Sequence, residues 1–129
     1  MTDIKSLRRI FRQAWKRETS SDQKNWSPDN PAWGQCAVTA CAVQDMIGGE
    51  IVWAQAVLPG GKKISHYFNM KNGCEIDLTR EQFPVGTRIP QGQPKESGYS
   101  STREYILRFP ATAERYKILT RNIAAYTLK

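Results

Sequence analysis

The run from Ala37 to Ile47 is apolar around most of a helical circumference, and Gly48-Gly49 closes it. A helix of that kind has no face to offer water, so the rest of the chain must wrap it. The two glycines read as a C-terminal helix stop. At 129 residues the chain has room for one modest core, so residues 1–129 are expected to form a single domain around this buried helix. Cys36, preceded by Gly34-Gln35, falls in the helix's first turn.

The flanking segments supply the wrapping. Residues 4–17 carry Ile4, Leu7, Ile10, Phe11, Ala14 and Trp15 on one stripe, with Arg8, Arg9, Arg12 and Lys16 on the other faces. That spacing predicts an N-terminal helix ended by Ser20-Ser21-Asp22. Trp26 to Pro31 is turn chemistry, since Pro28 and Pro31 oppose helix while Asp29 and Asn30 favour local bonds to the backbone. Beyond the buried helix, residues 50–58, 64–70 and 74–78 read as strands, the last two joined by an Asn72-Gly73 hairpin signal. A short helical turn is expected over 79–83. Residues 84–101 hold three Pro and three Gly with little periodicity, and read as a surface loop or the border of a groove. Ser101-Thr102 and Glu104 fit a helix start, and Pro110 begins a last helix through Ala113, Tyr116, Leu119, Ile123 and Tyr126. The class predicted is α+β: a helix on a small antiparallel sheet, flanked by helices from both termini.

Charge and cysteine usage narrow the function. The net charge of +7 divides into +4 over residues 1–24, −1 over 25–102 and +4 over 103–129. The basic excess therefore sits on the terminal helices, as solvated faces or as a surface for an acidic partner such as nucleic acid. No basic-aromatic strand pattern of a nucleic-acid module accompanies it. No apolar run approaches the roughly 20 residues of a membrane span, and the charged N-terminus lacks a signal-peptide core, so a cytoplasmic protein is expected. Three cysteines cannot all pair internally, and free thiols suit that compartment. One His and no Cys-x-x-Cys make a poor metal site, and no metal or other cofactor is expected.

Three residues carry the chemistry. A thiol at a helix N-terminus feels the positive end of the helix dipole, which favours thiolate. Cys36 has that position, whereas Cys41 lies mid-helix among apolar neighbours and Cys74 opens a strand beside a turn. The only histidine, His66, shares one strand face with Phe68 and Met70. A two-residue Asn72-Gly73 loop places Lys71 opposite Cys74, Met70 opposite Glu75 and Phe68 opposite Asp77. Asp77 is then a diagonal neighbour of His66 on the same face, within side-chain reach. A three-residue loop would turn Asp77 to the other face, and Asn-Gly favours the shorter loop. Thiol, imidazole and carboxylate in series are what nucleophilic acyl transfer requires. Each residue alone also reads blandly: a core cysteine, a half-buried histidine, a strand-end acid. An oxyanion needs two donors. The Cys36 N–H is one candidate. Gln35 and Asn30 are the candidates for the second, with Gln35 equally readable as a helix cap.

Asn30 to Ala40, with Val43-Gln44-Asp45 and Gly48-Gly49-Glu50, resembles the YunG-like family of small uncharacterised bacterial proteins. Ser65 to Asn69 and Glu75 to Phe83 look like its second and third blocks. The likeness covers residues 26–84 well, with weaker echoes at Ser101 to Tyr105 and Arg115-Tyr116. More distantly the arrangement is similar to the papain-like cysteine hydrolases, which include double-glycine peptidases, cell-wall amidases and arylamine acetyltransferases. That resemblance implies a papain-like fold and a Cys36, His66, Asp77 triad. Its members use a glutamine about six residues before the nucleophile for the oxyanion, where this chain has Asn30. It implies no particular substrate, since the fold serves many chemistries. The expected activity is thiol hydrolysis or acyl transfer on a protein, peptide or small acyl substrate. The alternative is a non-catalytic binding module on the same scaffold, possibly with an acidic partner.

Overall fold

The structure, a computed structural model, describes residues 3–127. Its elements run α1 (Ile4–Ala14), a 3-10 turn (Arg17–Thr19), α2 (Cys36–Ile47), β1 (Glu50–Val57), β2 (Lys63–Lys71) and β3 (Cys74–Ile76). A second 3-10 turn (Arg80–Gln82), α3 (Thr102–Leu107) and α4 (Pro110–Thr127) follow. The fold is α+β. One antiparallel sheet of order β1-β2-β3 is joined to four helices. Among the described residues no helix is long and apolar enough to cross a membrane.

Helix α2 is the centre, with Val38 to Val43 all buried. Its side towards α1 and α4 packs Val38, Ala42 and Val43 against Leu7, Phe11, Ala14, Trp15 and Leu119. Its other side packs Ala40 and Cys41 against Ile51 and Ile106. A helix apolar on both sides is thus met by helices on one and by the sheet and α3 on the other.

Asp3 starts α1 by accepting the Ser6 N–H at 2.7 Å. The sequence stripe predicts helix to residue 17, but α1 stops at Ala14 and Trp15 is extended. The departure has a tertiary cause. Trp15, 1% exposed, turns in so that its indole N–H donates to Thr39 Oγ1 of α2 at 2.8 Å. A continued helix would carry that ring around the axis instead.

The β2–β3 turn has Asn72 at φ +52° and Gly73 at φ +78°, the left-handed pair of a two-residue hairpin. Lys71 pairs with Cys74, Met70 with Glu75 and Asn69 with Ile76, the register expected from Asn-Gly. Strand β3 is shorter than its apolar run predicts. The chain leaves the ladder after Ile76, and Leu78 is buried in the helical core instead. Residues of β2 before Asn69 therefore have no β3 partner, and His66 lies on that open stretch.

Residues 84–101 form a strap along the other margin of the sheet. Arg88 exchanges two backbone hydrogen bonds with Val57, and Gln93 exchanges two with Trp53. Ile89 packs against the cluster of Val52, Ala54 and Phe68, on the sheet face turned away from α2. Gly92 sits so close that an added Cβ would stand 2.4 Å from Val52 Cγ2.

Candidate active site

The loop before α2 is tied down before it delivers Cys36. Gly34 has φ +73°, and a Cβ there would meet Ser20 Oγ at 2.3 Å. Ser20 Oγ donates to the Trp33 carbonyl at 2.8 Å, and the Ser21 N–H donates to the Gly34 carbonyl at 2.9 Å. The thiol then opens α2, half-buried. First-turn N–H groups of a helix have no acceptor within it, and no side chain caps this one.

His66 is fully buried. Its ring stacks on Phe68 at 5.5 Å between centroids and meets the edge of Phe83 at 5.0 Å. Nε2 lies 2.7 Å from Asp77 Oδ2. A carboxylate only accepts, so Nε2–H is the donor. Nδ1 is buried and makes no hydrogen bond within ordinary geometry, yet the Cys36 thiol is near enough to act on the ring. Burial opposes the imidazolium. The Asp77 hydrogen bond, and the Cys36 sulfur and Asp77 charges near the ring, outweigh burial and push His66 up to about 9. The structure sets Asp77 against His66, with Cys36 close enough for its charge to act on the ring. Cys41, by contrast, is pushed up to about 12 by burial, and Cys74 is exposed.

Each of the two candidates for the second oxyanion donor has one amide N–H engaged within the fold. Gln35 is fully buried, and its Nε2 donates to the Lys16 carbonyl at 3.0 Å. It holds the N-cap position of α2, as the helix-cap reading has it, but makes no capping bond with its side chain. Asn30 Nδ2 donates to the Gln82 carbonyl at 3.1 Å. Gln82 itself, at 6% exposure, was not singled out by the sequence. Its Oε1 accepts the Gly34 N–H at 3.1 Å, which fixes the amide's orientation, and its Nε2 is left buried without an acceptor. Nothing local marks it. The short turn over 79–83 is legible, but the loop it folds against is 48 residues away.

A cleft of about 240 Å³ is lined by Ala37, the residue after the thiol, by Ser65 and Tyr67, the sequence neighbours of His66 on the other sheet face, and by Tyr105, Ile106, Arg108, Phe109 and Thr112. Arg108 lies over the rings of Tyr105 and Phe109, at 3.6 and 3.9 Å from their centroids. Arg115 of α4 donates from Nη2 to Thr112 Oγ1 at 3.1 Å, and its Nε is buried with no partner. Burial disfavours its charge, and the nearby Cys36 sulfur favours it.

The family model described as YunG protein matches residues 3–127. The chain belongs to the YunG family. Over 80 residues it is 35% identical to a Bacillus subtilis (strain 168) relative described as the uncharacterised protein YunG. That stretch is 62% of this chain and 63% of the relative, so the aligned chain spans less than two thirds of the relative's length. No solved structure matches this YunG chain.

Proposed function

We propose that this YunG chain is a thiol hydrolase or acyltransferase of papain-like arrangement, acting on an amide, thioester or ester. One observation carries the reading. The single histidine is wholly buried, holds a carboxylate on Nε2 and leaves Nδ1 free of protein partners on the side of a helix-terminal thiol. A buried imidazole with one nitrogen unpaired is costly unless a proton is to pass through it.

In this mechanism the Cys36 proton already rests on His66 Nδ1, and the sulfur attacks the carbonyl carbon as the thiolate. Asp77 holds the ring and stabilises the imidazolium. The tetrahedral oxyanion receives the Cys36 N–H and Gln82 Nε2, a donor already buried and short of an acceptor. Collapse expels the leaving group, protonated by His66, and leaves an acyl-thioester. Water or another nucleophile gives its proton to His66, attacks the thioester and releases the sulfur. No step requires a cofactor.

The test separates alkylation, which forms no oxyanion, from acylation, which does. At pH 6.5 an ordinary thiol is about 1% ionised. Iodoacetamide is expected to label Cys36 at that pH at least about tenfold faster than the exposed Cys74, and His66→Ala to abolish the difference. Gln82→Leu is expected to slow acylation by p-nitrophenyl acetate about 10²-fold more than it slows alkylation. If Cys36 is labelled no faster than Cys74, the chain is a binding module on this scaffold. Equal losses in both reactions would remove Gln82 from the mechanism.

A further inference from the structure

We infer that the cleft beside Cys36 takes a substrate bearing a carboxylate close to its scissile carbonyl, read by the Arg115 guanidinium with Arg108 at the rim. This rests on the thiol-hydrolase reading and names its substrate class.

One cation lines the cleft, and two more stand behind residues of its wall. Thr112, on its wall, holds Arg115. Arg108 lines it directly, stacked on two aromatic rings and donating to the Tyr105 carbonyl. Lys95 lies 3.9 Å over the Trp53 ring, whose indole N–H donates to Ser65 of the cleft at 2.6 Å. No acid lines the cleft, and among the described residues none of the ion pairs uses Arg108, Arg115 or Lys95.

The contrast with Arg103 is informative. That guanidinium is also held between α2 and α4, and it is saturated by the Cys41 carbonyl, Gln44 Oε1, the Tyr116 hydroxyl and Asp45. A guanidinium built for packing finds its acceptors within the fold. Arg115 has a single neutral partner and keeps a buried Nε–H unspent beside a thiol. A buried donor on a cation without an acceptor is destabilising, and an incoming carboxylate supplies both charge and acceptor. The cleft's about 240 Å³ suits one amino-acid residue rather than a long chain. The chemistry fits an amide of an amino acid whose own carboxylate is free, such as the end of a peptide or an N-acyl amino acid.

The test compares iodoacetate with iodoacetamide, near-isosteric reagents that differ by one negative charge, with Cys74 as the reference thiol in the same molecule. At Cys36 the iodoacetate-to-iodoacetamide rate ratio is expected to exceed that at Cys74 by at least about tenfold. Arg115→Met is expected to bring the ratio down to the Cys74 value, and Arg115→Lys to restore part of it. Competition in the unaltered protein needs no variant: N-acetylglycine should protect Cys36 from iodoacetamide where N-acetylglycinamide does not. Equal ratios at the two cysteines, equal protection by both competitors, or a high ratio that survives Arg115→Met (attraction by imidazolium alone) each overturns the inference. Selective iodoacetamide labelling with no carboxylate preference would leave the hydrolase reading standing and this one refuted. Absence of selective labelling by either reagent would sink both.

Discussion

Replacing Asp77 with Asn tests the pairing on which the site depends. In the fold His66 holds its proton up to about pH 9, against an ordinary 6.5. That difference corresponds to about 3 kcal/mol favouring the charged ring in the folded chain. The sign follows from linkage. A raised folded-state value contributes stability that is complete below pH 6.5 and is lost as pH rises through about 9. Burial pulls the other way, and the Asp77 hydrogen bond is the largest of the opposing causes. Asp77→Asn keeps the shape and removes the charge, so His66 is expected to titrate roughly 1–3 pH units lower. The stability difference between pH 6 and pH 9.5 should shrink by about 1–4 kcal/mol. Because His66 is the only histidine, its Cε1–H resonance in untagged protein reports one titration without assignment. Urea unfolding at the two pH values gives the energetic half. A His66 that titrates at 6.5 or below in the unaltered protein, or at an unchanged value in Asp77→Asn, would refute the reasoning.

Two further outcomes follow from the packing. Gly92→Ala forces a methyl to within 2.4 Å of Val52 Cγ2 and 2.7 Å of Phe68 Cζ. It is expected to cost about 1–3 kcal/mol in urea unfolding and to speed amide exchange at Trp53 and Gln93 as the strap loosens. Trp15→Phe leaves the buried Thr39 hydroxyl without its indole donor and should cost about 1–3 kcal/mol. The double variant with Thr39→Val should recover part of that loss in a thermodynamic cycle, and strict additivity would show the bond to be energetically idle.

The parts of the site legible in the sequence are those fixed by local rules. The apolar circumference of residues 37–47 identified the buried helix, and so placed Cys36 at its start. Asn72-Gly73 set the hairpin register as far as Ile76, but the expected pairing of Phe68 with Asp77 does not form, and Asp77 reaches His66 from just past the end of β3. What stayed hidden depends on contacts between distant segments. Trp15 breaks α1 for a partner 24 residues away, and the apolar stripe that contains it cannot show this. Gln82 becomes a buried donor only when it folds against Gly34, and Asn30 and Gln35 are spent on carbonyls that no spacing rule connects to them. Arg115 looks from the sequence like one more cation on a basic helix. Its missing counterion is visible only beside the saturated Arg103. The strap over residues 84–101 is held largely by main-chain bonds, which leave little side-chain pattern to read.

That strap also governs how the molecule meets copies of itself. An uncovered β1 would offer a row of open amides and carbonyls on which a second chain could begin to stack. Arg88 takes those groups at Val57, where the strand ends, and Gln93 takes them at Trp53 in its middle, while Gly92 lets the cover lie flush. The other lateral edge is β3, only three residues long, continued by the stretch of β2 before Asn69 that β3 does not reach. Prying the strap away would bare β1 for such stacking and is expected to turn crowded solutions cloudy.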